Sequence, residues 1–200
     1  MARPSSAVFH AAQDRVSAAL RRATDELGRG DIDVDQWGDL VNEVLQDAHG
    51  DAWSLGRRRA GVDGARNDDD DFLGRGIADQ EMSDFFGDFI DRVAEGDPRY
   101  VDADGNLRLS NINARLDMYA HRMRGTANES FVLNSPRLST FIWRLGDAEH
   151  CDDCIAMAAD SPYTADNLWT YPGAGETECL THCKCVVVRW QDGVTGFRPK

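Results

Sequence analysis

Cysteine is missing from the first 150 of the 200 residues; all five fall between Cys151 and Cys185. An odd number in so short a span excludes a complete internal disulfide framework and points to metal first. Long apolar runs are missing too. The longest are short, such as Val186-Val187-Val188, against roughly 20 residues for a membrane-spanning helix. No apolar run follows the N-terminus as in a signal peptide, so the expected setting is a reducing cytoplasm. Basic residues are in deficit: 22 Lys and Arg face 35 Asp and Glu, a net charge of −13. That excludes a protein whose affinity for nucleic acid or membrane rests on neutralising phosphates. A solvated acidic surface accounts for the imbalance.

What is present is mostly helical periodicity. Val8, Ala12, Val16, Leu20, Ala23 and Leu27 recur at three- and four-residue steps and predict a helix over 7–27. Trp37, Leu40, Val41, Val44, Leu45, Ala48, Ala52 and Leu55 predict a second over 36–56, weakened in its middle by Gly50. Residues 1–60 are thus expected to form a helical pair. Arg57-Arg58-Arg59 suits a helix C-terminus, where positive charge is favoured.

Residues 61–76, with four glycines and the run Asp68 to Asp71, predict a solvent-facing acidic loop. Met82, Phe85, Phe86, Phe89, Ile90 and Val93 predict a third helix over 77–95, its aromatic stripe a core face or a partner face. Asp104-Gly105 marks a short hairpin near 99–109; the same stretch lacks the first and last carboxylates of a calcium loop, so calcium is rejected. Ile112, Leu116, Tyr119, Met123, Ala127 and Phe131 complete a helical region over 77–137.

After Pro136 the texture changes. Thr140–Leu145 and Val186–Trp190 are β-prone. They flank every cysteine, and their pairing would bring the cysteine groups together. The expected fold is mainly α, with N-terminal helices and a small zinc-bound β/loop module over 138–200.

The cysteines read Cys151-Asp-Asp-Cys154 and Cys179-Leu-Thr-His-Cys183-Lys-Cys185. Two close-spaced groups brought together suit one tetrahedral zinc, with thiolates about 2.3 Å from the metal. Cys151, Cys154 and Cys179 are the first three ligands; Cys183 is the choice for the fourth and Cys185 its competitor. His150 and His182 are weaker substitutes, because each adjoins a better-placed cysteine and neighbours rarely aim at one ion. A redox Cys-x-x-Cys pair and reduced cysteines without metal are the alternatives. Four protein ligands close a zinc to water and make it structural. The His-x-Glu and Pro-Cys-x-x-Cys of zinc deaminases are absent, as are a phosphate loop and a nucleophile elbow. No catalytic residue can be nominated and the expected protein is not an enzyme.

The stretch Trp143–Thr164, with Cys151-Asp-Asp-Cys154, and the stretch Tyr171-Pro172-Gly173 to Cys185 resemble the C-terminal signature of tailed-bacteriophage head morphogenesis, or minor head, proteins. Arg115-Leu116-Asp-Met-Tyr119-Ala120 is similar to the helix that precedes it. The chain departs from the usual His-x-x-Cys-Arg-Cys ending: Leu180 takes the His position, Cys179 lies one residue earlier, and Lys184 replaces Arg. The resemblance implies a virion protein of the head, built in during assembly in the host cytoplasm. Its implied partners are the portal or major capsid protein and further copies of itself. Because the chain ends ten residues after Trp190, no appended enzymatic domain is expected. A zinc-stabilised adaptor for protein or nucleic acid is the alternative. Its weakness is charge, because Arg144 to Lys200 carries five basic and nine acidic residues. Strong DNA binding and membrane association are not expected.

Overall fold

In the computed structural model, which describes residues 6–190, the chain is mainly helical and ends in a small strand-and-loop region. The helices are α1 (Ser6–Arg29), α2 (Val34–Ala60), α3 (Asp68–Glu81), α4 (Gly87–Ala94), α5 (Leu109–Leu133) and α6 (Asp152–Ala159); a π-helical turn, Met82–Phe86, joins α3 to α4. β1 (Phe141–Arg144) and β2 (Val186–Arg189) pair antiparallel, Phe141 opposite Arg189 and Arg144 opposite Val186. No helix among the described residues is long and apolar enough to cross a membrane.

The chain divides into two compact units. One comprises residues up to Ala52 together with Arg66–Ala120; the other comprises Trp53–Ala65 and the residues from His121 onward. In this division α2 and α5 each contribute to both units.

The core of the first unit gathers the predicted stripes. Leu20, Ala23 and Leu27 of α1 pack with Trp37, Val41 and Leu45 of α2, Phe86, Phe89 and Val93, and Ile112, Leu116 and Tyr119 of α5. Val8 of the α1 stripe has its side chain outside the described residues. The aromatic stripe is core: Trp37, Phe86, Phe89 and Tyr119 meet in edge and tilted contacts, while Phe85 stays exposed. The hairpin near 99–109 is a single bridge, Val101 to Leu107. Its turn is closed by Asp102, whose carboxylate accepts from the backbone N–H of Asp104 and Asn106.

The acidic loop expected over 61–76 is instead largely helix. Asn67 and Asp70 exchange side-chain-to-backbone hydrogen bonds of 3.0 Å, a capping box that starts α3. The aspartate run lies in the first turn, where the helix dipole favours negative charge. Asp70 is buried, and Asp71 pairs with Arg66, which also binds Asp47 at 2.6 Å and Asp51 at 3.0 Å. Burial works against the Arg66 charge, but its three carboxylates hold its pKa well up. Asn67→Ala is expected to lower stability by about 1 kcal/mol, whereas Asn67→Ser keeps most of the cap. A urea unfolding series measures both.

Gly50, which the sequence alone marks as a weak point of the second helix, lies at a close crossing. A Cβ on Gly74 would come 2.2 Å from the Gly50 nitrogen. Beside this crossing His49 Nε2 lies 3.4 Å from Glu81 Oε1, with both side chains buried. The sequence pattern does not single out this pair, although His49 follows Leu45 by one helical turn and so falls on the buried face.

Candidate metal centre

The second unit is built around β1 and α6. Phe141 and Trp143 of β1 point into its core, beside Phe131, Met157, Tyr163 and Val187. The connection after Cys154 carries the rest of α6 and buries Met157, Ala158, Tyr163 and Leu168. Tyr163 also exchanges two 2.7 Å backbone hydrogen bonds with Phe141. Arg59, in the last turn of α2, lies over the Phe131 ring and donates to Asn128 Oδ1 and the Val187 carbonyl. Arg57 donates to the Ala65 carbonyl. The arginine cluster thus ties this unit together.

Two backbone features bring the cysteine groups into contact. Cys151 is the extended N-cap of α6, which sets Cys154 on the buried face of the first turn. Cys179 precedes a single 3-10 turn, Leu180–His182, in which Leu180 takes the left-handed conformation at φ 49°. That conformation is unfavourable for a branched side chain and marks a locally strained turn. The groups are cross-tied by carboxylates: Glu178 N–H donates to Asp153 Oδ2 at 2.9 Å, and Asp152 N–H to Glu178 Oε2 at 3.2 Å. On the other side Gly146 lies so close to Lys184 that a Cβ would fall 2.3 Å from the Lys184 carbonyl oxygen.

All five predicted cysteines converge. Their sulfurs form two triads, Cys151–Cys154–Cys179 and Cys154–Cys183–Cys185, each with its sulfurs within 4.8 Å of one another. Cys154 Sγ is 3.6 Å from Cys179 Sγ and 3.5 Å from Cys183 Sγ. Thiolates at tetrahedral positions about 2.3 Å from zinc lie about 3.8 Å apart, so these spacings fit shared coordination. Cys183 and Cys185 are both offered, as their spacing in the sequence left open. His150 and His182 part company. His150 Nδ1 lies 3.7 Å from Cys185 Sγ, whereas the His182 ring packs on His121 at 4.9 Å between centroids.

The electrostatics fit a cation. Hydrogen bonding from Cys183 pulls the Cys185 thiol down to about 5 against its burial. The contact with Cys185, together with burial, pushes Cys183 up, and burial raises Cys154. Burial also works to raise Cys151, but backbone N–H groups of Cys154 and Cys179 outweigh it and leave that thiol below its ordinary value. Crowded sulfurs cannot all ionise alone; a bound metal ion deprotonates coordinating thiols.

Arg124 supports the second cysteine group from α5, donating to the Cys183 carbonyl at 2.8 Å. Such outer groups typically change metal affinity by 10–100-fold. Arg124→Met is therefore expected to weaken metal binding about tenfold in a competition titration against a chromophoric chelator.

Fold and site together define a mainly helical protein whose C-terminal region carries a thiolate cluster able to hold metal. No family model matches the chain, and neither does any curated protein or solved structure.

Proposed function

We propose that the chain is a structural component of a tailed-phage head, a minor head protein whose thiolate centre holds zinc to stabilise its C-terminal region. The observation that carries this reading is the convergence of five cysteines, from two groups 25 residues apart, onto one cluster in which Cys154, Cys183 and Cys185 are buried. Soft thiolate donors at tetrahedral spacing select zinc over magnesium or calcium, which need oxygen ligands. The assignment to a phage head rests on the resemblance of Trp143–Thr164 and Tyr171–Cys185 to the minor head signature. An architectural role also agrees with a site whose metal would be enclosed by protein ligands. The portal and major capsid proteins are its proposed partners.

Peptide mass spectrometry of purified, DNA-filled virions tests the assignment. The chain is expected as a low-copy component that stays with heads through density-gradient purification. Its absence from virions, with abundant protein in the infected-cell lysate, would contradict the role. Zinc in purified protein tests the centre separately.

A further inference from the structure

The cluster offers more donors than one ion uses. A single tetrahedral zinc would take four of the five sulfurs and leave a buried thiol. The sulfurs do not form one set of four, however; they form two triads with Cys154 common to both. Each triad has a further donor beside it. Cys151 Sγ groups with carboxylate oxygens of Asp153 and Glu178 within 4.8 Å. Each carboxylate uses one oxygen in the cross-tie between the cysteine groups and keeps the other.

Beside the second triad stands His150. Its Nε2 lies 3.0 Å from the Gly146 carbonyl oxygen. A carbonyl only accepts, so Nε2 carries the proton and Nδ1 presents its lone pair. That arrangement, an N–H held by a backbone carbonyl with the other nitrogen free, is how metal-binding imidazoles are oriented. Nδ1 faces Cys185 Sγ at 3.7 Å. An imidazole nitrogen about 2.0 Å and a thiolate about 2.3 Å from one ion would lie about 3.5 Å apart.

We propose that the site is binuclear: two zinc ions bridged by the Cys154 thiolate. One is held by Cys151, Cys179 and a carboxylate of Asp153 or Glu178, the other by Cys183, Cys185 and His150. Two tetrahedra sharing a corner need seven donors, and these residues supply seven. The arrangement gives each buried cysteine an ion. It also removes the objection to His150 as a ligand, because His150 and its neighbour Cys151 serve different ions. The inference rests on the zinc centre proposed above and adds its nuclearity and its non-cysteine ligands.

The test is metal counting on the full chain, expressed with added zinc, desalted under reducing conditions and measured by native mass spectrometry with elemental analysis. Two zinc ions per chain are expected. One would overturn the binuclear site while leaving a zinc centre; none would overturn both. His150→Ala is expected to retain one ion with unchanged helical circular dichroism, and retention of two would exclude His150 as a ligand. A cobalt titration of the unaltered chain gives a check that needs no variant. Thiolate-to-cobalt absorption should rise to a plateau at two equivalents, and a plateau at one would overturn the proposal.

Discussion

Stripping metal from the reduced protein with a tight chelator is expected to raise amide exchange across β1, α6 and β2 by at least 100-fold. Core amides of the first unit, such as those of Leu20, Val41, Phe89 and Leu116, should exchange as before. The asymmetry follows from where the cysteines sit. Cys154, Cys183 and Cys185 are core residues of the second unit, packed with Trp143, Phe141 and Val187, not appendages to it. Structural zinc contributes about 10–16 kcal/mol of apparent binding free energy in small zinc domains. If about 3 kcal/mol of that reaches local opening, exchange accelerates about 100-fold, since 1.4 kcal/mol is tenfold. The first unit has its own core of Trp37, Phe86, Phe89 and Leu116 and contains no cysteine. An equal rise in both units would contradict this picture, as would no rise at all.

The second large effect concerns a methyl group. Gly74→Ala is expected to destabilise the protein by about 3 kcal/mol, although alanine ordinarily improves a helix interior by up to about 1 kcal/mol over glycine. At Gly74 the added Cβ would meet backbone rather than a yielding side chain: the Gly50 nitrogen at 2.2 Å, the Gly50 Cα at 2.5 Å and the His49 carbonyl carbon at 2.7 Å. Relief requires α2 and α3 to separate beside the buried His49–Glu81 pair. Gly76, two residues along the same helix, is the control. It is exposed, and a methyl group there would have nothing within 4 Å. Gly76→Ala should therefore stabilise by about 0.5–1 kcal/mol. In thermal unfolding the two variants should move the midpoint in opposite directions, Gly74→Ala downward by roughly 6–12 °C. Like effects from both would show that the close crossing is not what requires glycine.

The long helices were legible because their apolar residues repeat at helical spacing over four or more turns. The start of α3 was hidden by its composition. Four consecutive aspartates carry no apolar period, yet Asn67 and Asp70 have the three-residue separation of a capping box, a signal outweighed by the surrounding glycines. α6 spans only eight residues, Asp152–Ala159, too few to establish a period. The strands were legible from β-branched and aromatic content, and their pairing placed the cysteine groups together as expected.

The division of the sulfurs around Cys154 was not legible. It depends on the Gly146–Lys184 approach and on the Asp153–Glu178 cross-tie, both between residues at least 25 positions apart. Nor does sequence spacing reveal that the Gly146 carbonyl holds one nitrogen of His150 and so orients the other toward Cys185. Gly50 shows the same limit. As a helical glycine it reads as a weakness, and only the neighbouring backbone makes it a contact surface.

X-ray absorption at the zinc edge of the protein as purified tests the thiolate centre, because it reports the atoms bound to the metal. The expected first shell is dominated by sulfur at about 2.3 Å, with a minor nitrogen or oxygen contribution at about 2.0 Å. A first shell of oxygen and nitrogen alone, or no zinc in reduced protein, would contradict it.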